Sequence, residues 1–253
     1  MIEEKEWIES PEGWNELEDN DSEQEIEEEC YGQDLFADKD SRLSYQFRVG
    51  DSNGSSLKTI QISGFELHSD ETTKSTGVTL WEGSKPLAKY MMNHSKESIQ
   101  GRKVLELGSG LGLCGIVAHH LGAKQVVLTD GDTNALRELR KNVEQNCGST
   151  STISCRQLFW GGEDSDSGQS KFLESFGTFD TIIASDVIYT PTSIDPLFDT
   201  IQWAMKEPGG HFLLSWFTRV NNITIEMILE AARKRNLEWT GSKEGIYIFT
   251  TCG

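Results

Sequence analysis

The chain has no run of about 18 apolar residues, the length a helix needs to span a bilayer, so no transmembrane helix is expected. It has no Cys-x-x-Cys pair. Its five cysteines, Cys30, Cys114, Cys147, Cys155 and Cys252, are odd in number and scattered. That pattern excludes a disulfide framework and a zinc site and suits free thiols in a reducing compartment. The histidines, His68, His94, His119, His120 and His211, follow no ligand spacing, so no metal is expected. Internal repeats are missing, as is any sign of a second folded domain. The start is acidic and lacks a signal-peptide core. The expected location is therefore the cytoplasm, the nucleus or both.

Positive charge is scarce too. The 253 residues hold 23 Lys and Arg against 41 Asp and Glu, a formal net charge of −18. The imbalance is local. Residues 1–40 carry 17 acids and two lysines, a net of −15, which leaves −3 for the rest. A nearly neutral body lacks the basic surface that a nucleic acid backbone demands, so nucleic acid is not expected as a partner. Residues 1–40 read as an acidic, flexible tail, because high charge with few apolar residues cannot form a core. Trp7, Ile8, Trp14 and Leu17 are the exception, since their spacing allows one apolar helical stripe. Residues 41–253 read as a single α/β domain, with a β-hairpin over 41–70 and a core over 76–253. In the hairpin, LSYQFRV (43–49) and KTIQISGFEL (58–67) flank the turn DSNGSS.

The stretch VLELGSGLG, Val104 to Gly112, organises the core. VLEL reads as a buried parallel strand. Glycines follow at 108, 110, 112 and 115, and Leu113 to Leu121 then reads as a helix. A strand, a glycine turn and a helix N-terminus together present free N–H groups to a ligand. The spacing is G-x-G-x-G, not the dinucleotide fingerprint, and any tight turn of this kind can carry glycines. Two acids sharpen the reading. Glu106 lies inside the apolar strand, and a buried acid needs a partner; an amine-bearing cofactor is one. Asp130 ends the next apolar run, twenty residues after Gly110, where an acid can bind ribose hydroxyls.

Farther on, strands are expected at 125–129, 153–159, 180–185, 211–217, 237–241 and 245–251. Helices are expected at 133–146, 171–176, 193–206 and 223–236, with a loop at GGEDSDSGQS. This alternation implies a parallel doubly wound sheet closed by an antiparallel hairpin.

VLELGSGLG, LTD (128–130) and FDTIIASDVIY (179–189) together resemble a class I, seven-strand methyltransferase that uses S-adenosylmethionine. TLWEGSKPLAKYM (79–91), LFWGG (158–162) and Asp186-Val187-Ile188-Tyr189 narrow the resemblance to methyltransferase family 16, dominated by protein lysine methyltransferases. The likeness covers about residues 76 to 252. It implies a Rossmann-like seven-strand sheet with an antiparallel C-terminal hairpin, preceded here by the added N-terminal β-hairpin. The implied cofactor is S-adenosylmethionine. Its binding residues are Trp81, Glu106, Gly108, Ser109, Gly110, Gly112, Asp130, Phe159, Trp160 and Ser185, with Leu158 and Trp160 flanking the adenine. The implied catalytic residues are Asp186, which orients the acceptor, and Tyr189, which walls its channel. A protein substrate, most simply lysine, and a monomeric enzyme follow. Histidine or arginine acceptors, a small-molecule or nucleic-acid methyltransferase and a cofactor-binding scaffold without turnover stay open. So does a dinucleotide oxidoreductase, although the glycine spacing counts against it.

Overall fold

The computed structural model describes residues 28–31, 42–50, 58–161, 165–218, 222–243 and 245–251. At its start β1 (Glu28–Tyr31), β2 (Arg42–Val49) and β3 (Lys58–Phe65) form an antiparallel sheet in the order β1-β2-β3. The sequence leads to two strands here; the third, EECY, lies within the stretch read as a tail. Charged residues are usual on a sheet edge, where they discourage further pairing. Residues 1–27 and 32–41, with Trp7, Ile8, Trp14 and Leu17, lie outside the described residues, as do residues 51–57, which include DSNGSS, read from the sequence as a turn.

Three short helices, α1 (Asp70–Lys74), α2 (Ser84–Asn93) and α3 (Ser95–Ser98), lead into the main unit. That unit alternates β4 (Lys103–Leu107), α4 (Leu113–His120), β5 (Gln125–Asp130), α5 (Thr133–Cys147), β6 (Ile153–Gln157), α6 (Ser165–Phe176), β7 (Thr181–Ser185), α7 (Ile194–Ala204) and β8 (His211–Ser215). It ends with α8 (Ile225–Arg233), β9 (Leu237–Lys243) and β10 (Ile246–Thr251). The seven strands stand in the order β6-β5-β4-β7-β8-β10-β9, and β10 runs antiparallel to both its neighbours. This is the doubly wound sheet with an antiparallel C-terminal hairpin expected from the sequence.

Strand side chains alternate between the two faces. Val104, Val126, Leu128 and Ile183 join one core with α2, α4, α5 and the N-terminal sheet. Leu105, Leu107, Val127, Ile182 and Ala184 join the other with α7 and α8. Both faces are covered, which is why the central strands read as continuous apolar runs. Among the described residues no helix is long and apolar enough to cross a membrane.

Helix α6 begins at Ser165, six residues before the expected 171. Ser, Asp and Gly suggested a loop there. Phe172 nevertheless packs on Phe176, Phe179 and Trp203, with ring centroids 5.0 to 6.1 Å apart, and such packing overrides weak local propensity.

The N-terminal sheet is held by an unanticipated device. Asn142 on α5 accepts from Ser63 N–H at 3.0 Å and donates to the carbonyls of Ser63 and Leu111 at 3.0 Å each. One turn later Asn146 accepts from Gln61 N–H at 2.8 Å and donates to Gln61 C=O at 2.7 Å. Four helical residues rise about 6 Å and two strand residues about 6.8 Å, so the two amides match alternate residues of β3. They satisfy its edge as a further strand would. Asn142→Ala leaves the buried partners of this amide unpaired. It is expected to lower stability by about 1–3 kcal/mol, more than Asn146→Ala at the half-buried end, as read by urea unfolding; an equal or smaller effect of Asn142→Ala would refute the clamp.

Candidate functional site

Strands β4 and β7 are neighbours, but the chain leaves them toward opposite edges of the sheet. Ligands of doubly wound sheets bind at the strands' carboxyl ends beside such a switch. The glycine turn sits there. Gly108, Gly110 and Gly112 adopt φ of 67°, 50° and 89°, the left-handed region that a Cβ disfavours. Ser109 between them is buried. Its N–H donates to Thr129 C=O at 2.8 Å and its hydroxyl accepts from Thr129 N–H at 3.0 Å. The β4–β5 ladder thus continues one step past the strand.

Asp130 locks the turn from the tip of β5. Its Oδ2 accepts from Gly110 N–H at 3.0 Å and its Oδ1 from Asp132 N–H at 2.9 Å. Burial raises its pKa against the pull of these bonds. The expected ribose acid therefore already serves as a main-chain anchor.

Glu106 is buried, and its Oε2 accepts from Gly115 N–H at 3.0 Å. Gly115 lies in the first turn of α4, so one partner of this acid is a helix N-terminal N–H group. A Cβ on Gly115 would stand 2.6 Å from Glu106 Oε2, hence the glycine. Burial lifts the Glu106 pKa to about 8, beyond what its hydrogen bonds recover. The group is poised to ionise beside a cation.

Segment 158–160 crosses the ends of β5 and β4. Leu158 N–H donates to Asp130 C=O at 3.1 Å. Phe159, 68% exposed, lies over Gly131, and Trp160 lies 3.5 Å from where a Gly108 Cβ would be. These residues form an aromatic wall beside the turn. On the opposite side the chain over 75–83 closes in. Gly77 C=O lies 3.3 Å from a Cβ placed on Gly110, and Trp81 Nε1 donates to Thr76 C=O at 2.9 Å.

Asp186 ends this strap. Its backbone is left-handed at φ 55°, and its Oδ2 accepts from Gly83 N–H at 2.6 Å, ahead of α2. A Cβ on Gly83 would overlap the carboxylate, at 2.5 Å. Ser185, half-buried, precedes it on β7. The structure thus brings Trp81, Glu106, the glycine turn, Asp130, Phe159, Trp160, Ser185 and Asp186 to one edge of the sheet. Tyr189, three residues on, is 65% exposed. Sequence reasoning missed Gly77, Gly83 and Val187, which packs 2.6 Å from a Cβ on Gly108. The glycines at 77 and 83 were visible, but only their contacts reveal why no side chain fits.

A family model described as lysine methyltransferase matches residues 62–240. The chain belongs to this lysine methyltransferase family. Among relatives, it is 33% identical over 153 residues to protein N-terminal and lysine N-methyltransferase EFM7 of Yarrowia lipolytica, covering 53% of this chain and 54% of that protein. It is 36% identical over 137 residues to protein N-lysine methyltransferase METTL21A of Xenopus tropicalis, covering 53% and 58%. The chain spans about half the length of the curated relatives it matches. The fold resembles that of a ribosomal protein L11 methylase from Lactobacillus delbrueckii subsp. bulgaricus, with a TM-score of 0.50 at 18% identity over 69% of this chain and 81% of that one.

Within this family member, Glu106 sets a pH dependence. An acid whose folded pKa is raised contributes fully below its unfolded value and loses that contribution as pH rises through about 8. The thermal midpoint of the parent chain should therefore fall more steeply than that of Glu106→Gln between about pH 4.5 and about pH 8, and no more steeply above that. Parallel curves would show that Glu106 does not titrate there.

Proposed function

We propose that this chain is an S-adenosylmethionine-dependent methyltransferase that modifies lysine in a protein. The observation that carries this reading is the glycine turn, tied to Asp130 on β5 and lying one strand from Asp186 on β7. The family supplies the chemistry, and the site fits it. Glu106 is an acid that a nearby ammonium would stabilise. Asp130 lies where ribose hydroxyls reach an acid, with lone pairs beyond its two backbone bonds. Trp160 and Phe159 suit a flat ring.

When bound, S-adenosylmethionine supplies a methyl group already activated for transfer. The protein then has to align an acceptor nitrogen, exclude competing water and tolerate the proton that leaves. Asp186 is the residue we assign to alignment. Gly83 N–H fixes one of its oxygens and its left-handed backbone fixes its direction, so the carboxylate is preorganised rather than mobile. Tyr189, exposed beside it, is assigned to the channel wall. The cytoplasm or nucleus, and a monomer, remain part of this reading.

The direct test is incubation with tritiated S-adenosylmethionine and a cell lysate, followed by digestion of the labelled protein. Methyl-lysine is expected; label on an amino terminus, on histidine or on arginine would change the acceptor, and no label would reject the reading. Asp130→Ala removes bonds to a charged acceptor worth about 1.5–3 kcal/mol each. Affinity for S-adenosylhomocysteine by calorimetry should fall at least about tenfold; unchanged affinity would move the ribose elsewhere. Asp186→Asn should keep that affinity within a few-fold while turnover drops far more, since aligned transfer is sensitive to small displacements. Loss of binding instead would assign Asp186 to the cofactor.

A further inference from the structure

Among the described residues, few large apolar side chains are exposed past the carboxyl ends of the seven-strand sheet's parallel strands. Phe159, Tyr189 and Phe217 follow β6, β7 and β8 respectively, at 68%, 65% and 38% exposure. Phe159 belongs to the cofactor side. Phe217 has no part in the site described so far, yet its position is built.

Strand pairing fixes where it stands. Ser185 on β7 is in register with Ser215 on β8, and Asp186 N–H continues the ladder to Ser215 C=O at 3.0 Å. The next amide along, Trp216 N–H, donates to Gly245 C=O in the β9–β10 turn at 3.1 Å. Trp216 is buried and packs toward Tyr247, with centroids 6.1 Å apart. Phe217 follows it and lies against Gly245. Gly245 has φ 81°, and a Cβ there would overlap the Phe217 ring. The glycine makes a flat seat, so the ring is held while part of its face stays in solvent.

Across the carboxyl edge of the sheet the order is then Phe159 and Asp130 (β6, β5), the glycine turn (β4), Asp186 (β7) and Phe217 (β8). The glycine turn, Asp130 and Phe159 lie on the β4 side of Asp186, and Ser185 adjoins it on β7. The β8 side of Asp186 is left for an acceptor to approach, and Phe217 stands exposed there.

We propose that Phe217, seated on Gly245, is a specificity-determining residue that contacts the acceptor protein beside the methylated lysine; this rests on the lysine methyltransferase reading above. The aromatic face covers the methylene stem of lysine or an apolar neighbour in the acceptor segment. Asp186 takes the nitrogen. Phe217 touches neither the cofactor nor the transferred group, so it acts on acceptor binding.

The probe is the lysate protein that the parent chain labels most strongly with tritiated S-adenosylmethionine, purified and titrated as substrate. Phe217→Ala is expected to raise KM for that protein about tenfold with kcat changed less than about threefold, and to leave S-adenosylhomocysteine affinity unchanged by calorimetry. Phe217→Tyr, which keeps the ring, restores KM. Phe217→Leu retains apolar bulk for folding and still raises KM. An unchanged KM in Phe217→Ala and Phe217→Leu overturns the proposal, as does a joint loss of cofactor affinity and acceptor binding. If the parent binds S-adenosylhomocysteine but labels no protein, both the methyltransferase reading and this proposal fall. Labelling that is indifferent to Phe217 removes this proposal alone.

Discussion

Asp130 accepts hydrogen bonds from Gly110 and Asp132 with its two oxygens, and the shape of the site depends on this pair. A three-glycine turn has many backbone conformations open to it. The carboxylate at the next strand tip selects one, and Ser109 pins it to Thr129 from within. With the turn fixed, α4 starts where the Gly115 N–H of its first turn reaches Glu106. The same bonds explain why Asp130 remains an acceptor despite burial: each backbone N–H offsets part of the desolvation that raises its pKa.

A second set of contacts closes the site from the N-terminal side. Asn142 joins β3 to both α5 and the glycine turn, since its amide also reaches Leu111 C=O. From β3 the chain passes Gly77 close to Gly110 and Gly83 onto Asp186. The N-terminal sheet is thus more than a cap. It delivers residues 75–83 to the edge that holds the glycine turn, and it does so by matching strand N–H and C=O groups with side-chain amides. Glu138 adds charge to this joint. Burial opposes its ionisation, but Lys141 and Arg42 together outweigh it and hold its carboxyl below the usual range.

Much of this was legible in the residues. Apolar runs at 104–107, 126–128 and 181–184 sit at the centre of a sheet covered on both faces, so burial left them no polar alternation to confuse. Helix α5 carried Leu136, Leu139 and Val143 on one face. The glycine spacing, Asp130 and Asp186 all pointed to one sheet edge, and the fold brings them together there. Less legible was α6, whose Ser, Asp and Gly look like loop until Phe172 meets Phe179 and Trp203. β1 was hidden by its own acidity, because an edge strand can be charged.

The sequence by itself determined the doubly wound sheet and the edge at which the glycine turn and the acids meet. Both follow from local patterns: apolar runs of strand length, amphipathic helices and glycines at a turn. It could not determine what each polar side chain does there. Asp130 and Glu106 bond first to backbone N–H groups, Asp186 caps the approach to α2, and Asn142 replaces a missing strand. Apart from Asp132, two residues from Asp130, these partners lie 9 to 103 residues apart along the chain. Only the folded chain brings them within hydrogen-bonding distance, so only tertiary structure could assign them.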